Sequence, residues 1–175
     1  MSELDREHRA APEEDEIQEI KGALLADKIT TLLPAEPICA PETTTVQDAV
    51  AAMLKKRQAG VLVVDGDGRL TGIFTERDVL TRVVGRDLDP GRTTLRAVMT
   101  PNPEALSPRD RIAYALNRVS VAGYRTIPLV DENRRPIGVV TATDIIRWLT
   151  DLFPEAVLNM RPGDEIKRPH EVDAG

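Results

Sequence analysis

Two short stretches of this 175-residue chain carry residue types at a spacing that could form a binding site: Gly72-Ile-Phe-Thr75-Glu-Arg77-Asp78 and Gly138-Val-Val-Thr141-Ala-Thr143-Asp144. In each, an apolar run ends at a threonine, and an aspartate follows just inside the helix that begins there. A carboxylate is an acceptor with two oxygens, so it can take both hydroxyl hydrogens of a ribose cis-diol, which deoxyribose does not offer. The threonine hydroxyl and the unpaired N–H groups of a helix's first turn are natural partners for phosphate oxygens. The same residues also fit a helix cap, with threonine as N-cap and aspartate completing a capping box. Such boxes prefer glutamate or glutamine, because the side chain must reach back to the cap, and aspartate is shorter. That shortness, and the recurrence of the motif, favour a ribonucleotide site whose base the spacing does not name.

Composition removes several other chemistries. Lysine and arginine number 23 against 29 aspartates and glutamates, a net charge of −6. An acidic chain is poorly suited to general nucleic-acid binding, which displaces phosphate counterions with cations. Aromatics at 3% leave no platform for stacking successive bases. With one cysteine, Cys39, there is no internal disulfide, and His8 and His170 near opposite ends cannot join it in a closed zinc site. The expected folded part lacks histidine and any Ser/His/Asp or Cys/His set, so the chain reads as non-catalytic, without metal or cofactor. No run reaches the length of a membrane span, and the first residues are charged, which leads to the expectation of a cytoplasmic protein without a membrane partner. Cys39 beside Ile38 reads as a small buried hydrophobe. Met53 and Met99 read as core filler, and Trp148 as packing or an oligomer contact.

The elements that must position the two motifs are themselves duplicated. Gly72 aligns with Gly138, a shift of 138 − 72 = 66 residues, and that shift holds without a gap. Pro37 falls on Pro103, Val46 on Ile112, Ala49 on Ala115, Val64-Asp65 on Val130-Asp131, and Arg69 on Arg135. In the first unit Val46, Ala49, Val50, Met53 and Leu54 follow the spacing of a buried helix face. Val61-Leu-Val-Val64 then reads as a strand, Asp65-Gly-Asp-Gly68 as a tight turn, and Ile73-Phe74 as a second strand. A second helix carries Val79, Leu80, Val83 and Val84. The second unit repeats the order, ending on a helix marked by Ile145, Ile146 and Leu149. Short extended segments precede each unit, around Ile38-Cys39 and Glu104-Ala105. The chain thus divides into a polar tail (1–12), a helix (13–28) with Ile17, Ile20, Leu24 and Leu25 on one stripe, a first unit and linker (29–93), a second unit (94–150), a packed extension (151–160) and a second polar tail (161–175). The fold class is α/β: two pseudo-symmetric β-α-β-β-α units. Each is too small to bury much surface alone, so the two pack through their sheets and leave a cleft between related halves.

In this order and this duplication the chain resembles a tandem pair of CBS (cystathionine β-synthase) domains, a Bateman module, over residues 29–150. Met99-Thr100-Pro101, Ile127-Pro128-Leu129-Val130-Asp131 and both glycine-to-aspartate motifs carry the resemblance. It implies a regulatory sensor of adenosine ligands: AMP, ADP or ATP, less often S-adenosylmethionine or a dinucleotide. Each site in that family is composite. One would use Thr141, Thr143 and Asp144 with Ile38, Gln58, Ala59 and Gly60. The other would use Thr75, Arg77 and Asp78 with Glu104, Tyr124, Arg125 and Thr126. Arg77 and Arg125 would favour phosphates at the Asp78 site, since a guanidinium binds them in bidentate fashion, while Glu104 would oppose a polyphosphate. The resemblance also implies a disk-like homodimer and a protein partner that receives the conformational change. Two departures stand out: Leu62 where a proline is usual, and Leu33-Pro34 where the second unit has Met99-Thr100. The alternative is a ligand-free structural or dimerisation module, in which the aspartates are caps.

Overall fold

The computed structural model describes residues 14–152. Of the packed extension expected at 151–160, Asp151 and Leu152 end the last helix and the rest lies outside the described residues, as do both tails and the side chains of Ile17 and Ile20. The elements run α1 (Glu14–Ala26), a 3-10 turn (Ile29–Leu32), β1 (Cys39–Pro41), α2 (Val46–Lys56), β2 (Gly60–Val64) and β3 (Leu70–Thr75). One α turn, α3 (Glu76–Asp78), continues as a π-helical stretch (Val79–Val83) and a 3-10 turn (Val84–Arg86). The second unit supplies α4 (Leu95–Val98), β4 (Thr100–Pro101), α5 (Ile112–Ala122), β5 (Thr126–Val130), β6 (Pro136–Thr141) and α6 (Ala142–Leu152).

The 66-residue shift holds in the pairing as well as in the sequence. Gly60 pairs with Thr75 and Val64 with Leu70, with a bulge between Val63 and Val64; Thr126 pairs with Thr141 and Val130 with Pro136, with a bulge between Leu129 and Val130. The turn between the strands is duplicated too. Asp65 Oδ1 accepts from the N–H groups of Asp67 and Arg69, and Asp131 Oδ1 from those of Asn133 and Arg135. These aspartates therefore shape hairpins.

Val61–Val64 of β2 and Ile127–Val130 of β5 are unbroken apolar runs because both of their faces are covered. Val61, Val63 and Phe74 point to the helices of the first unit, whereas Leu62, Leu70 and Ile73 meet Val139, Val130 and Ala105 where the two sheets come together. Leu62, at the position of the usual proline, is thus fully used in the contact between units.

The lead segments are exchanged. Ile29 and Leu32, at the start of the first unit in sequence, are buried with Ile112, Ile127, Val140, Ile145 and Trp148 of the second. Their equivalents Leu95 and Val98 are buried with Val46, Ala49, Phe74 and Val83 of the first. Each of these side chains, fully buried, contributes about 1.5–3 kcal/mol. Thr100 and Pro101 extend the first sheet beside Ile73 and Gly72, in the order β1-β2-β3-β4, and Ala35 bridges Val139 in the corresponding place. This crossing accounts for the motif glycines. A Cβ on Gly72 would lie 2.3 Å from Met99 Sδ, and one on Gly138 would lie 3.0 Å from Pro34 Cβ. The departure at Leu33 is visible in the backbone: Leu33 is left-handed at φ 50°, whereas Met99 is extended at φ −67°.

Several expected core positions face outward instead. Leu54 is 74% exposed, Leu80 66% and Ile146 61%, and Val84 and Leu25 are also exposed. Helical spacing places them on the edge of an apolar stripe wider than the sheet beneath can cover. The π-helical stretch further turns Leu80 and Val84 out while Val83 stays buried. Cys39 is exposed on β1, contrary to its reading as a buried hydrophobe. Neighbouring chain still desolvates its thiol and raises its pKa, with Lys56 opposing and Glu36 adding to the rise. Met53 is buried, Met99 packs against the first core, and Trp148 packs in the second.

Candidate functional site

Each motif ends its strand on a closed capping box. Asp78 Oδ2 accepts from Thr75 N (2.9 Å) and from its hydroxyl (2.8 Å). Asp144 Oδ2 accepts from Thr141 N (2.8 Å) and hydroxyl (2.7 Å), while Asp144 N donates to Thr141 Oγ1 at 3.2 Å. The shorter reach of aspartate, which weighs against a capping box in the sequence, does not keep the box from closing. The threonine sits in an extended backbone, which brings its N–H toward the first helical turn (φ −125°, ψ 168° at Thr75). Oδ2 is saturated in both boxes, and the threonine hydroxyl spends its hydrogen on it. What each aspartate offers a ligand is Oδ1, held in a fixed direction.

Both outward oxygens lie near arginines that the sequence reading did not single out. Arg82 Nε is 3.2 Å from Asp78 Oδ1, and Arg147 Nη1 is 3.5 Å from Asp144 Oδ1. Their i+4 and i+3 spacing from the aspartates is a signal that could have found them. Asp78 is buried, with 7% of its surface exposed, and Asp144 is half-buried.

The other halves of the sites arrive on the exchanged segments. Ala35 pairs with Val139 just ahead of Thr141, so buried Ile38 follows a segment lying along β6. Gln58 Nε2 donates to Glu36 O at 2.7 Å, tying it to the same segment, and its Oε1 is buried without a partner. Ala59 and Gly60 are held against the first unit's own motif: Glu76 N donates to Ala59 O, and Gly60 pairs with Thr75. On the other side, Asn102 N donates to Thr71 O, which lays the segment leading to Glu104 along β3.

Glu104 is drawn toward α5. Its Oε1 accepts from the Tyr114 hydroxyl at 2.5 Å and lies 3.1 Å from Arg118 Nε, whose guanidinium sits 5.0 Å over the Tyr114 ring. The hydrogen bond to Glu104 is the main cause that raises the Tyr114 pKa, with Arg118 pulling the other way. Nothing in the repeat signals this trio, since the shift puts Ile38, Asp48 and Ala52 at these positions. Arg77, Thr143, Tyr124 and Arg125 are exposed, and Thr126 is half-buried at the start of β5. Among the described residues no ion pair joins Arg77 or Arg125 to the Asp78 motif. The Arg125 carbonyl accepts from Ala142 N at 3.1 Å, repeating the Ala59–Glu76 bond.

Two grooves lie on the helical layers, neither of them lined by Asp78 or Asp144. One, of about 590 Å³, runs between α2 and the helix after β3, lined by Val50, Met53, Leu54, Gln58, Val79 and Leu80 among others. The other, of about 420 Å³, lies between α1 and α5, where Leu24 and Ala23 pack against the second core. Among the described residues there is no cluster that could hold a metal ion, and no helix is long and apolar enough to cross a membrane.

Comparison with known proteins agrees with the duplication. The model of the CBS domain family matches residues 29–85 and again 95–151. The meiotically up-regulated gene 70 protein of Schizosaccharomyces pombe is 36% identical over 106 residues, 61% of this chain and 14% of that protein. The CBS domain-containing protein CBSCBSPB3 of Arabidopsis thaliana is 34% identical over 111 residues, 63% of this chain and 19% of that one. The matched region thus spans less than a fifth of either relative. Among solved structures, the CBS domain pair of protein MJ0100, in complex with 5′-methylthioadenosine and S-adenosyl-L-methionine, superposes with a TM-score of 0.65 at 24% identity, covering 71% of this chain and 97% of that one. A CBS domain protein of unknown function from Thermoplasma acidophilum, TA0289, gives a TM-score of 0.65 at 25% identity, covering 72% and 74%. Two family matches, set in the two halves of an exchanged and pseudo-symmetric fold, place this chain in the CBS domain family as a tandem pair.

Proposed function

We propose that this chain is a non-catalytic, cytoplasmic regulatory module that binds adenosine-containing ligands, AMP, ADP or ATP, between its two CBS units and passes the resulting change to a protein partner. The observation that carries this reading is the pair of closed Thr–Asp boxes, each beside a lead segment of the other unit. A ligand seated on Asp78 or Asp144 touches both units, so its affinity depends on their arrangement, and only such a difference can be transmitted. The box fixes Oδ1 for one ribose hydroxyl, and of the first-turn N–H groups those of Arg77 and Thr143 remain for phosphate, the others being bonded to Ala59 O, Arg125 O and the box threonines. Arg77 and Arg125 would favour more phosphates at the Asp78 site, and Thr143 with neutral Gln58 fewer at the Asp144 site. The adenosine ligands of the MJ0100 pair support the ligand class. The exposed Leu54, Leu80 and Val84 on the first unit's helices support a homodimer through that helical layer.

Calorimetry with AMP, ADP, ATP, S-adenosylmethionine and 2′-deoxy-AMP, on wild type, Asp78→Ala and Asp144→Ala, tests the reading. Each substitution should remove one site, and the deoxy compound should bind more weakly. At 100 times the Kd, ligand should add about 2.7 kcal/mol of stability. Absence of heat and of thermal shift with every ligand would favour the ligand-free structural module.

A further inference from the structure

We infer that Arg82 is a positioning residue that couples the Asp78 site to the junction between the units, and that the Asp144 site has no equivalent coupling. The inference rests on the reading of Asp78 as a ligand residue. Arg82 Nε faces Asp78 Oδ1 at 3.2 Å, while its Nη1 donates to Val98 O at 3.0 Å and Met99 O at 2.7 Å. Those carbonyls close α4, the exchanged segment that begins the second unit, where a cation at a helix C-terminus is favourably placed. One guanidinium is therefore shared between the oxygen offered to ligand and the segment that locks the two units together. The rest of that segment is tied to the first unit by fixed contacts. Leu95 N donates to Thr44 O, Arg96 N donates to Glu42 O, and Met99 lies over Gly72.

The second unit lacks this arrangement. The repeat puts Trp148 at the place of Arg82, and Leu32 and Leu33 at those of Val98 and Met99. Trp148 is buried with Ile29 and Leu32, so that junction is apolar. Asp144 instead meets Arg147, a largely exposed side chain for which the structure shows no bond to the lead segment. The backbones differ as well: α6 is α-helical throughout, whereas Val79–Val83, which follows Asp78 and carries Arg82, is π-helical. Single π turns of this kind tend to occur where a helix serves a site.

A ribose hydroxyl on Oδ1 takes up the acceptor that holds Nε, and the phosphate of AMP attracts the same guanidinium in bidentate fashion. AMP at this site therefore draws Arg82 from the carbonyls of α4 and loosens the junction. Uncharged adenosine does so far less.

Hydrogen exchange at the amides of Leu95, Arg96, Ala97 and Met99, measured on the full chain with AMP and with adenosine, reads this directly. AMP should speed exchange there about tenfold in wild type, the order expected for losing hydrogen bonds made by a charged donor. Residues 29–33 should not change. Arg82→Met should show the faster exchange without ligand and no further response to AMP, and Arg82→Lys should restore part of the protection. AMP that binds the Asp78 site, as judged by heat lost in Asp78→Ala, but leaves exchange at 95–99 unchanged in wild type would overturn the inference. If wild type binds no AMP, the ligand reading fails, and a ligand-free cycle decides the coupling. Asp78→Asn should speed the same amides, and adding it to Arg82→Met should have no further effect. Independent, additive effects of the two substitutions would refute a shared guanidinium.

Discussion

Replacing Asp144 by alanine or by asparagine separates its two duties. Alanine removes Oδ2, leaving Thr141 N without its partner and ending the reciprocal box. Losing a capping side chain costs about 1–2 kcal/mol. For a chain of this size that lowers Tm by about 2–8 °C. Asparagine keeps a carbonyl oxygen that can accept from Thr141 N and from its hydroxyl, and gives up the charge facing Arg147. That ion pair is exposed on the arginine side, so its loss costs about 0–1 kcal/mol. The melting point of Asp144→Asn should therefore fall by no more than about 4 °C, while its affinity for ribose-containing ligands falls, since a carboxylate accepts from hydroxyls more strongly than an amide does. Thermal denaturation followed by circular dichroism, with calorimetry on the same samples, reads both. Equal destabilisation by alanine and asparagine would refute the account of the box. An unchanged melting point for Asp144→Ala would show that the observed bonds carry no stability.

Gly72→Ala places a methyl against Met99 Sδ, so the Met99 side chain must shift from its place over Gly72. A loss of about 1–3 kcal/mol is expected from such overpacking, recovered in part when Met99→Ala is added; a double variant no more stable than Gly72→Ala would count against the clash. Tyr114 should titrate above the ordinary phenol range in an absorbance titration, because Glu104 accepts its hydrogen bond. Its contribution to stability is complete below the ordinary phenol pKa and is lost as the pH climbs through the raised one. Glu104→Gln should bring the titration back toward the ordinary range, and an unchanged titration would show that Glu104 is not the cause.

The duplicated order of helices and strands was legible because it rests on periodicity, and the 66-residue register carried through to the paired strands and even the bulges. What the sequence hid was mostly tertiary. Ile29 and Leu95 look like the first core residues of their own units, and nothing local says that each is buried in the other. Leu54 and Leu80 satisfy a helical pattern, yet a pattern cannot state how wide a face the sheet covers. The aspartates stand in the first turns of α3 and α6, where the sequence puts a helix start, but their closure onto threonine depends on backbone such as the extended Thr75, which side-chain length alone does not reveal. Tyr114 and Arg118 converge on Glu104 from another element, and Arg82 reaches Val98 and Met99 across the junction between units. Contacts of that kind have no spacing rule.

Because Ile29 and Leu32 complete the core of one repeat and Leu95 and Val98 that of the other, neither repeat is a self-sufficient folding unit at its sequence boundary. A fragment ending at residue 93 would keep its arm at 29–32 but lose the one that fills its own interior. Two such fragments could satisfy each other by trading arms about a two-fold axis. The covalent pair then reads as a fused version of an arm-swapped dimer, in which one continuous chain makes permanent what separate copies would achieve only at sufficient concentration.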